Sequence, residues 1–326
     1  MGWLRTRSWA RATAVWLAMA AAIGMLIVLV MGATVTNTGS AQGCGRQWPL
    51  CQGKFIPDFA VSTFIEFSHR AVTGVEGILI VAVAVLVVAL WWDRWPVRIL
   101  APLMVGSLVL QAGMGAAAVM WPQSPLVLAL HFGISLIALA SAVLVAVYLR
   151  RIDRPLPAPV VPAVRWTTWA VAGYLYVLIY SGAYVRHTAA AAACPGWPGC
   201  GPATYHSASA LAVDVAHRAL AVVALVLALG LVALYRRAAP GRTDLVRGAW
   251  LLAVALLAQG AAGAYLALSG FSLISELTHD AVAGLAFVAA AYLLLLVTLD
   301  ARVERPLELD PEISPAGSTA KPSPAR

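Results

Sequence analysis

Two short stretches carry the residues best suited to chemistry, FIEFSHR at 64–70 and VDVAHR at 213–218. Each sets a carboxylate (Glu66, Asp214) three positions before a histidine (His69, His217) that an arginine (Arg70, Arg218) follows. Each is answered downstream by one more histidine: His131 lies 62 residues after His69, and His279 lies 62 residues after His217. A lone histidine on an apolar helix is as readily a packing or interfacial residue as a ligand. Four at matched positions and spacing, out of 6 in the chain, point to ligation. Two imidazoles facing each other across a helical bundle suit the two faces of an iron porphyrin, whose flat apolar body the bundle interior accepts. Zinc suits the set less well, because each cluster offers only two histidines and one carboxylate and would need tighter convergence.

A spacing of three puts Glu66 on the face of His69, one turn nearer the start of the helix. There it could take protons at the edge of a bound macrocycle, stabilise positive charge, or orient His69 through a polar contact. Asp214 stands in the same relation to His217, but its side chain is one methylene shorter. Equal reach is not expected, and the two sites read as diverged. Arg70 and Arg218 point about 100° away from the histidines they follow. Each is a candidate for contact with a porphyrin propionate, or a long side chain reaching for the water interface.

The elements that must position these groups are membrane helices. The chain has 326 residues, 61% hydrophobic and 11% charged, against roughly 25% charged in ordinary soluble domains. So little polar surface cannot coat a globule, and lipid must be the solvent along most of the length. A net charge of +8 does not indicate nucleic acid, because the arginines sit at the ends of apolar runs rather than in a patch. Eight stretches are long enough to cross: 12–35, 64–91, 97–120, 126–149, 166–186, 209–235, 247–268 and 274–299. The first is too long for the apolar part of a cleaved signal peptide, and a second span follows closely. The second is the least regular, with Glu66, His69, Arg70 and Glu76 in its first turns.

Basic residues orient the array. The N-terminus and the segments near 93–98, 150–165, 236–247 and 302–326 hold 17 of the 22 Lys and Arg residues. This bias predicts both termini in the cytoplasm and loops 36–63 and 187–208 facing outward. All 4 cysteines lie in those two loops, as CGRQWPLC (Cys44, Cys51) and CPGWPGC (Cys194, Cys200). Two close pairs in an oxidising compartment read as local disulfides, Cys44–Cys51 and Cys194–Cys200. Each can be a staple; the first can also take part in redox chemistry, and a four-thiolate metal site is disfavoured on an outer face.

The halves share one layout. GATVTNTGSAQGCGRQWPLC leads to FIEFSHR, and SGAYVRHTAAAAACPGWPGC leads to VDVAHR. A glutamine–glycine neighbourhood follows in each, LVLQAGMGAAAV at 108–119 and LLAQGAAGAYLA at 256–267, before the final histidine. The expected fold is an all-α polytopic membrane protein, with eight transmembrane helices in two duplicated four-helix bundles related by a parallel repeat. The expected units are 1–150 and 151–300, followed by a disordered cytoplasmic tail at 301–326, rich in Pro and Ser.

With EFSHR at 66–70, AHR at 216–218, His131, His279 and a cysteine pair in each outward loop, the chain resembles the haem A synthase (COX15/CtaA) family over residues 12–299. The resemblance implies oxidation of the C8 methyl of haem O to the formyl group of haem A, through alcohol and geminal diol stages with water as the oxygen source. It implies that His69 and His131 are axial ligands of the substrate haem, with Glu66 as the catalytic carboxylate. It implies that His217 and His279 hold the iron of a resident haem b. Cys44 and Cys51 match the pair tied to function, Cys194 and Cys200 the more structural pair. Asp214 departs from the glutamate of the first half, which weakens oxidation, but not haem binding, at the second site. The change of methyl to aldehyde removes four electrons, so an electron acceptor is implied that no motif identifies. The implied setting is the bacterial cell membrane, with association with a haem O synthase and a product destined for a haem-copper oxidase. A membrane cytochrome b that carries two haems and only transfers electrons is the competing reading. It accounts for the histidines and leaves the Glu66/Asp214 difference and the cysteine loops without a reason.

Overall fold

The computed structural model describes residues 2–299 apart from 59, 122–123, 156 and 203–206, with side chains from residue 9 onward. The expected tail at 301–326 lies outside the described residues. Eight α-helices follow one another: α1 (Gly2–Asn37), α2 (Val61–Trp91), α3 (Trp95–Met120), α4 (Pro125–Arg151), α5 (Pro162–His187), α6 (Ala208–Ala238), α7 (Thr243–Leu268) and α8 (Leu273–Thr298). Every one holds a stretch long and apolar enough to cross a membrane, and no strand is formed among the described residues. The protein is an all-α multi-pass membrane protein. Only such helices close their own backbone hydrogen bonds inside hydrocarbon without forming a barrel.

Local chemistry sets the helix ends. Proline occupies the first turn of α3, α4 and α5, where its missing N–H costs nothing. Ser124, Ser207 and Ser272 cap α4, α6 and α8, their hydroxyls accepting from the amides of Val127, Ala210 and Ser275. Paired arginines close α4 (Arg150, Arg151) and α6 (Arg236, Arg237), at the negative end of each helix dipole.

Helices α1, α2, α3 and α4 pack in sequence, and α4 returns to α1, closing a ring. Helices α5 to α8 close a second ring in the same way, and the rings meet through α4 with α5, α1 with α8, and α4 with α8. Exchanging each helix with the one four places on leaves this pattern of neighbours unchanged. The central position of α4 and α8 shows in their burial: 78% and 56% of their most apolar windows are enclosed, against 33% or less for the other six.

Lipid gives helices no hydrophobic reason to associate, so close packing of small side chains must hold them. Ala14, Ala18 and Ala21 line the buried face of α1, and Ala286, Ala289 and Ala290 that of α8. At the junction of α1, α4 and α8, a Cβ on Gly284 would stand 3.0 Å from a Leu29 methyl and 3.4 Å from one of Leu139. Large side chains such as Ile78, Val85, Val226 and Leu257 face outward. At the end opposite the cysteine loops, Arg11 ties α1 to α4 through the carbonyls of Leu149 and Arg150, both at 3.0 Å. Arg242 reaches the Leu296 carbonyl of α8 at 2.9 Å.

Candidate functional site

All four matched histidines lie within about two and a half turns of the start of their helices, at the end of the molecule that carries the cysteine loops. In the first ring α2 supplies His69 and α4 supplies His131, and each lies within electrostatic range of the other. In the second, α6 supplies His217 and α8 supplies His279, again within range of one another. The odd-numbered helices between them present glycine to every one of these rings. A Cβ on Gly32 would come within 3.2 Å of His69 Cε1, and one on Gly182 within 2.8 Å of His217 Cε1. The matching distances are 3.5 Å from Gly115 to His131 and 3.3 Å from Gly263 to His279. Each imidazole therefore occupies a notch in its neighbouring helix that a methyl would narrow or fill.

The two pairs differ in their hydrogen bonds. His217 Nδ1 is 2.9 Å from the Ser181 hydroxyl, and Gln259 Nε2 lies 3.3 and 3.1 Å from the two ring nitrogens of His279. The Nδ1 atoms of His69 and His131 are buried without a partner, whereas the oxygens of the two matched glutamines, Gln111 Oε1 on α3 and Gln259 Oε1 on α7, are alike in having none. The second pair is fixed by the protein. The first has both Nδ1 atoms left to satisfy, and buried polar atoms are seldom left so unless a ligand or water completes them.

Beside the first pair, Glu66 is only 2% exposed. Its Oε2 accepts from the backbone amide of Cys44 at 2.7 Å, and its Oε1 forms an ion pair with Arg70 one turn further on. Arg70 also donates to the carbonyls of Gln47 and Leu50, at 2.8 and 3.1 Å. The loop is closed by a Cys44–Cys51 disulfide, with the sulfurs 2.04 Å apart. Thr63 adds a hydrogen bond to the Gly43 carbonyl at 2.8 Å. The helix bearing His69 and the disulfide loop are thus clasped through one carboxylate and one guanidinium.

The second site repeats the arginine and not the acid. Arg218 donates to the carbonyls of Gly196 and Cys194, beneath a loop closed by a Cys194–Cys200 disulfide. Asp214 Oδ2 lies 2.7 Å from Arg218 Nε but makes no aligned hydrogen bond. Among the described residues it takes no loop amide: the Cys194 N–H donates to the Ala191 carbonyl instead. The missing methylene separates a carboxylate that reaches the loop from one that does not. Arg70 and Arg218, the candidates for propionate contact, have terminal nitrogens committed to loop carbonyls, and Arg70 Nε is buried without a partner.

The four glycines, Ser181 and the bond from Gln259 were not assigned from the sequence. Their signal was there, in the recurrence of GATV at 32–35 as GAYV at 182–185 and in the two glutamine–glycine stretches. The contacts needed the helices packed. Among the described residues, no three of His, Cys, Asp and Glu converge as a protein-only metal site would require.

Eight spanning helices in two closed rings, each with two histidines set in helix notches near a disulfide loop, define an all-α multi-pass membrane protein with one buried histidine pair in each ring. The COX15-CtaA family model, described as cytochrome oxidase assembly protein, matches residues 56–291, and the chain belongs to that family. Among its relatives, the heme A synthase of Symbiobacterium thermophilum is 42% identical over 267 residues, covering 78% of this chain and 86% of that protein. That of Geobacillus kaustophilus is 38% identical over 296 residues, with 86% and 90% covered. The heme A synthase of Lysinibacillus sphaericus is 37% identical over 300 residues, with 86% and 94% covered.

Proposed function

We propose that this protein is an oxidoreductase that converts haem O to haem A. The first ring, within residues 1–150, holds the substrate between His69 and His131. The second, within 151–300, holds a resident haem b between His217 and His279. The observation that carries the reading is the pairing of four histidines with four helix notches in two rings, with side-chain partners at the Nδ1 atoms of one pair and none at those of the other. A permanent group is served by ligands the protein has already oriented. A substrate that must enter and leave is served by ligands that finish their contacts only when it arrives. Facing pairs rather than triads also suit a metal that brings its own equatorial ligands. The kinship with heme A synthases supports both the substrate and the reaction.

The conversion balances as methyl plus one water giving formyl plus four protons and four electrons. It passes through the alcohol and the geminal diol, with water supplying the oxygen and an external acceptor taking the electrons. When bound, haem b supplies one-electron redox chemistry beside the substrate. The residues of the chain do the rest. His69 and His131 fix the plane of the macrocycle. Glu66, one turn nearer the loop than His69, sets a carboxylate at the substrate edge, where it offsets positive charge as electrons leave and takes up protons. The Cys44–Cys51 loop, held by Glu66 and Arg70, covers that edge and limits water. Asp214, lacking the loop amide, leaves the second ring a holder rather than an oxidising site.

The concentration of basic residues away from the cysteine loops supports cytoplasmic termini and outward loops in a bacterial cell membrane. The exchange symmetry of helix neighbours supports a parallel duplication. Delivery from a haem O synthase and release to a haem-copper oxidase follow from substrate and product.

The test is pigment analysis of the histidine variants. His217→Met and His279→Met are expected to lose the haem B spectrum while haem O still enters the first ring. His69→Met and His131→Met should keep haem B and stop haem O processing. Equal loss of haem B from all four, with haem O conversion intact, overturns the assignment. Haem B alone in the wild type from cells that make haem O would favour simple electron transfer.

A further inference from the structure

Neither the histidine pairs nor the loop clasp uses Glu76. It lies on α2 seven residues after His69, a spacing that returns to nearly the same helix face about 10 Å deeper. It is 4% exposed, and its Oε1 has no hydrogen-bond partner. Arg70, the nearest basic residue on α2, is paired with Glu66 instead. Space has been made for the group: a Cβ on Gly24 of α1 would stand 1.9 Å from Glu76 Oε2. A carboxyl that deep in a membrane is costly and persists where something meets it.

The other ring shows what the position looks like without that need. The offset that carries His69 to His217 carries Glu76 to Ala224, which is fully buried. The offset that carries Gly32 to Gly182 carries Gly24 to Tyr174, whose hydroxyl donates to the Leu220 carbonyl at 2.8 Å. An aromatic ring bonded to backbone thus takes the place of a notch and a lone acid. The difference falls between the ring proposed for haem O and the ring proposed for haem B. Those two molecules differ at one place, where haem O carries a hydroxyalkyl chain in place of a vinyl group. The hydroxyl sits one carbon from the pyrrole edge, on the side of the macrocycle away from the propionates. With the propionates toward the cysteine loops, that side faces the membrane interior. Glu76 lies in that direction from His69, with its Cβ tilted back toward the start of α2 and so toward the macrocycle.

We infer that Glu76 accepts a hydrogen bond from the side-chain hydroxyl of haem O and makes the first ring select haem O over haem B. The inference rests on the assignment of the two rings proposed above. It makes Glu76 a specificity residue that touches the substrate away from the reacting methyl. A site built around a substrate hydroxyl discriminates because its own polar group is stranded when the hydroxyl is missing.

The experiment uses the full chain produced in cells that make no haem O. Haem O or haem B is then added, and occupancy of the first ring is followed by absorbance titration and pigment extraction. Haem B retained in the second ring reports correct folding. Glu76→Ala is expected to weaken haem O binding about tenfold, the scale of one buried hydrogen bond, and to tighten haem B binding at the first ring, because no carboxyl is then stranded. Glu76→Gln, which keeps an acceptor oxygen, should stay within about twofold to threefold of the wild type. Equal weakening of both haems by Glu76→Ala, or wild-type haem O binding in it, overturns the inference. So does a Gln variant that binds haem O normally but cannot convert it, since that marks a proton-handling acid. If wild-type protein shows no preference for haem O, the ring assignment itself has failed, and that outcome is separate because it appears before any substitution.

Discussion

The four glycine notches predict a graded series. Gly182→Ala would place a methyl 2.8 Å from His217 Cε1, 3.2 Å from Nε2 and 3.5 Å from Nδ1. The whole ring edge must move, yet Nδ1 is held by Ser181 at 2.9 Å. Forcing a methyl into such a packed site costs about 1–3 kcal/mol. The gain from a stiffer unfolded chain, about 0.4–1 kcal/mol for Gly to Ala, does not cancel it. Gly32→Ala meets His69 at 3.2 Å, but that ring has no Nδ1 partner and can yield, so a smaller loss is expected. Gly115→Ala meets His131 at 3.5 Å, ordinary contact, and should be neutral or slightly stabilising. Gly263→Ala, at 3.3 Å from His279, falls between. The assay is haem B content and thermal midpoint of the four variants purified in one detergent. Gly182→Ala should lose haem B affinity by about tenfold, given 1.4 kcal/mol per factor of ten. Wild-type haem content in Gly182→Ala, or a Gly115→Ala variant at least as damaged, would refute the notch argument.

Three further outcomes are expected. Glu66→Gln, which keeps volume but not charge, should retain haem binding while haem A formation falls at least tenfold, with product and alcohol intermediate measured by chromatography and mass spectrometry. Asp214→Asn should change that yield far less, and equal effects would count against the division of labour. Ser181→Ala removes the partner of His217 Nδ1 and should shift the haem B spectrum or its midpoint potential, with a stability loss of about 1 kcal/mol; an unchanged spectrum and potential would show that the hydroxyl does not orient the ring. Peptide mapping without reductant should recover Cys44 with Cys51 and Cys194 with Cys200, and crossed pairs would reject the loop pairing.

The spans were legible because a run of apolar residues in a chain with so few charges has one physical solution. Their ends were less so. The first helix runs past 35 to Asn37 because Thr34 and Thr36 turn their hydroxyls back onto the carbonyls of Val30 and Gly32, hiding polarity that the sequence displays. The second begins at Val61, after an extended Ala60, three residues before its apolar run looks continuous. The matched spacing of the histidines was visible along the chain, and the structure sets each of them in a helix notch near a cysteine loop. The clasp of Glu66 was not visible along the chain. Its partner is the amide of Cys44, 22 residues upstream, and only the closed loop brings that amide down. Arg70 followed the same rule: its sequence position suggested an anion, while the folded loop offered it carbonyl oxygens first. Glu76 read as an interruption in an apolar span until Gly24 and Ala224 gave it a place.

The packing of α1 against α8 joins the first of the eight helices to the eighth. When α4 leaves the ribosome, the faces it will turn to α5 and α8 have nothing beside them, and α1 lacks its second wall. At roughly 5–20 residues per second, the remaining helices take about 7 to 30 s to arrive. Through that interval the first ring is closed but uncovered on the side where α5 and α8 will pack. Leu29 and Leu139 meet Gly284 only at the end. The fold fastens like a clasp, and a chain halted after α7 would leave the second ring without its fourth side and the first, though closed, without the helix that covers α1 and α4.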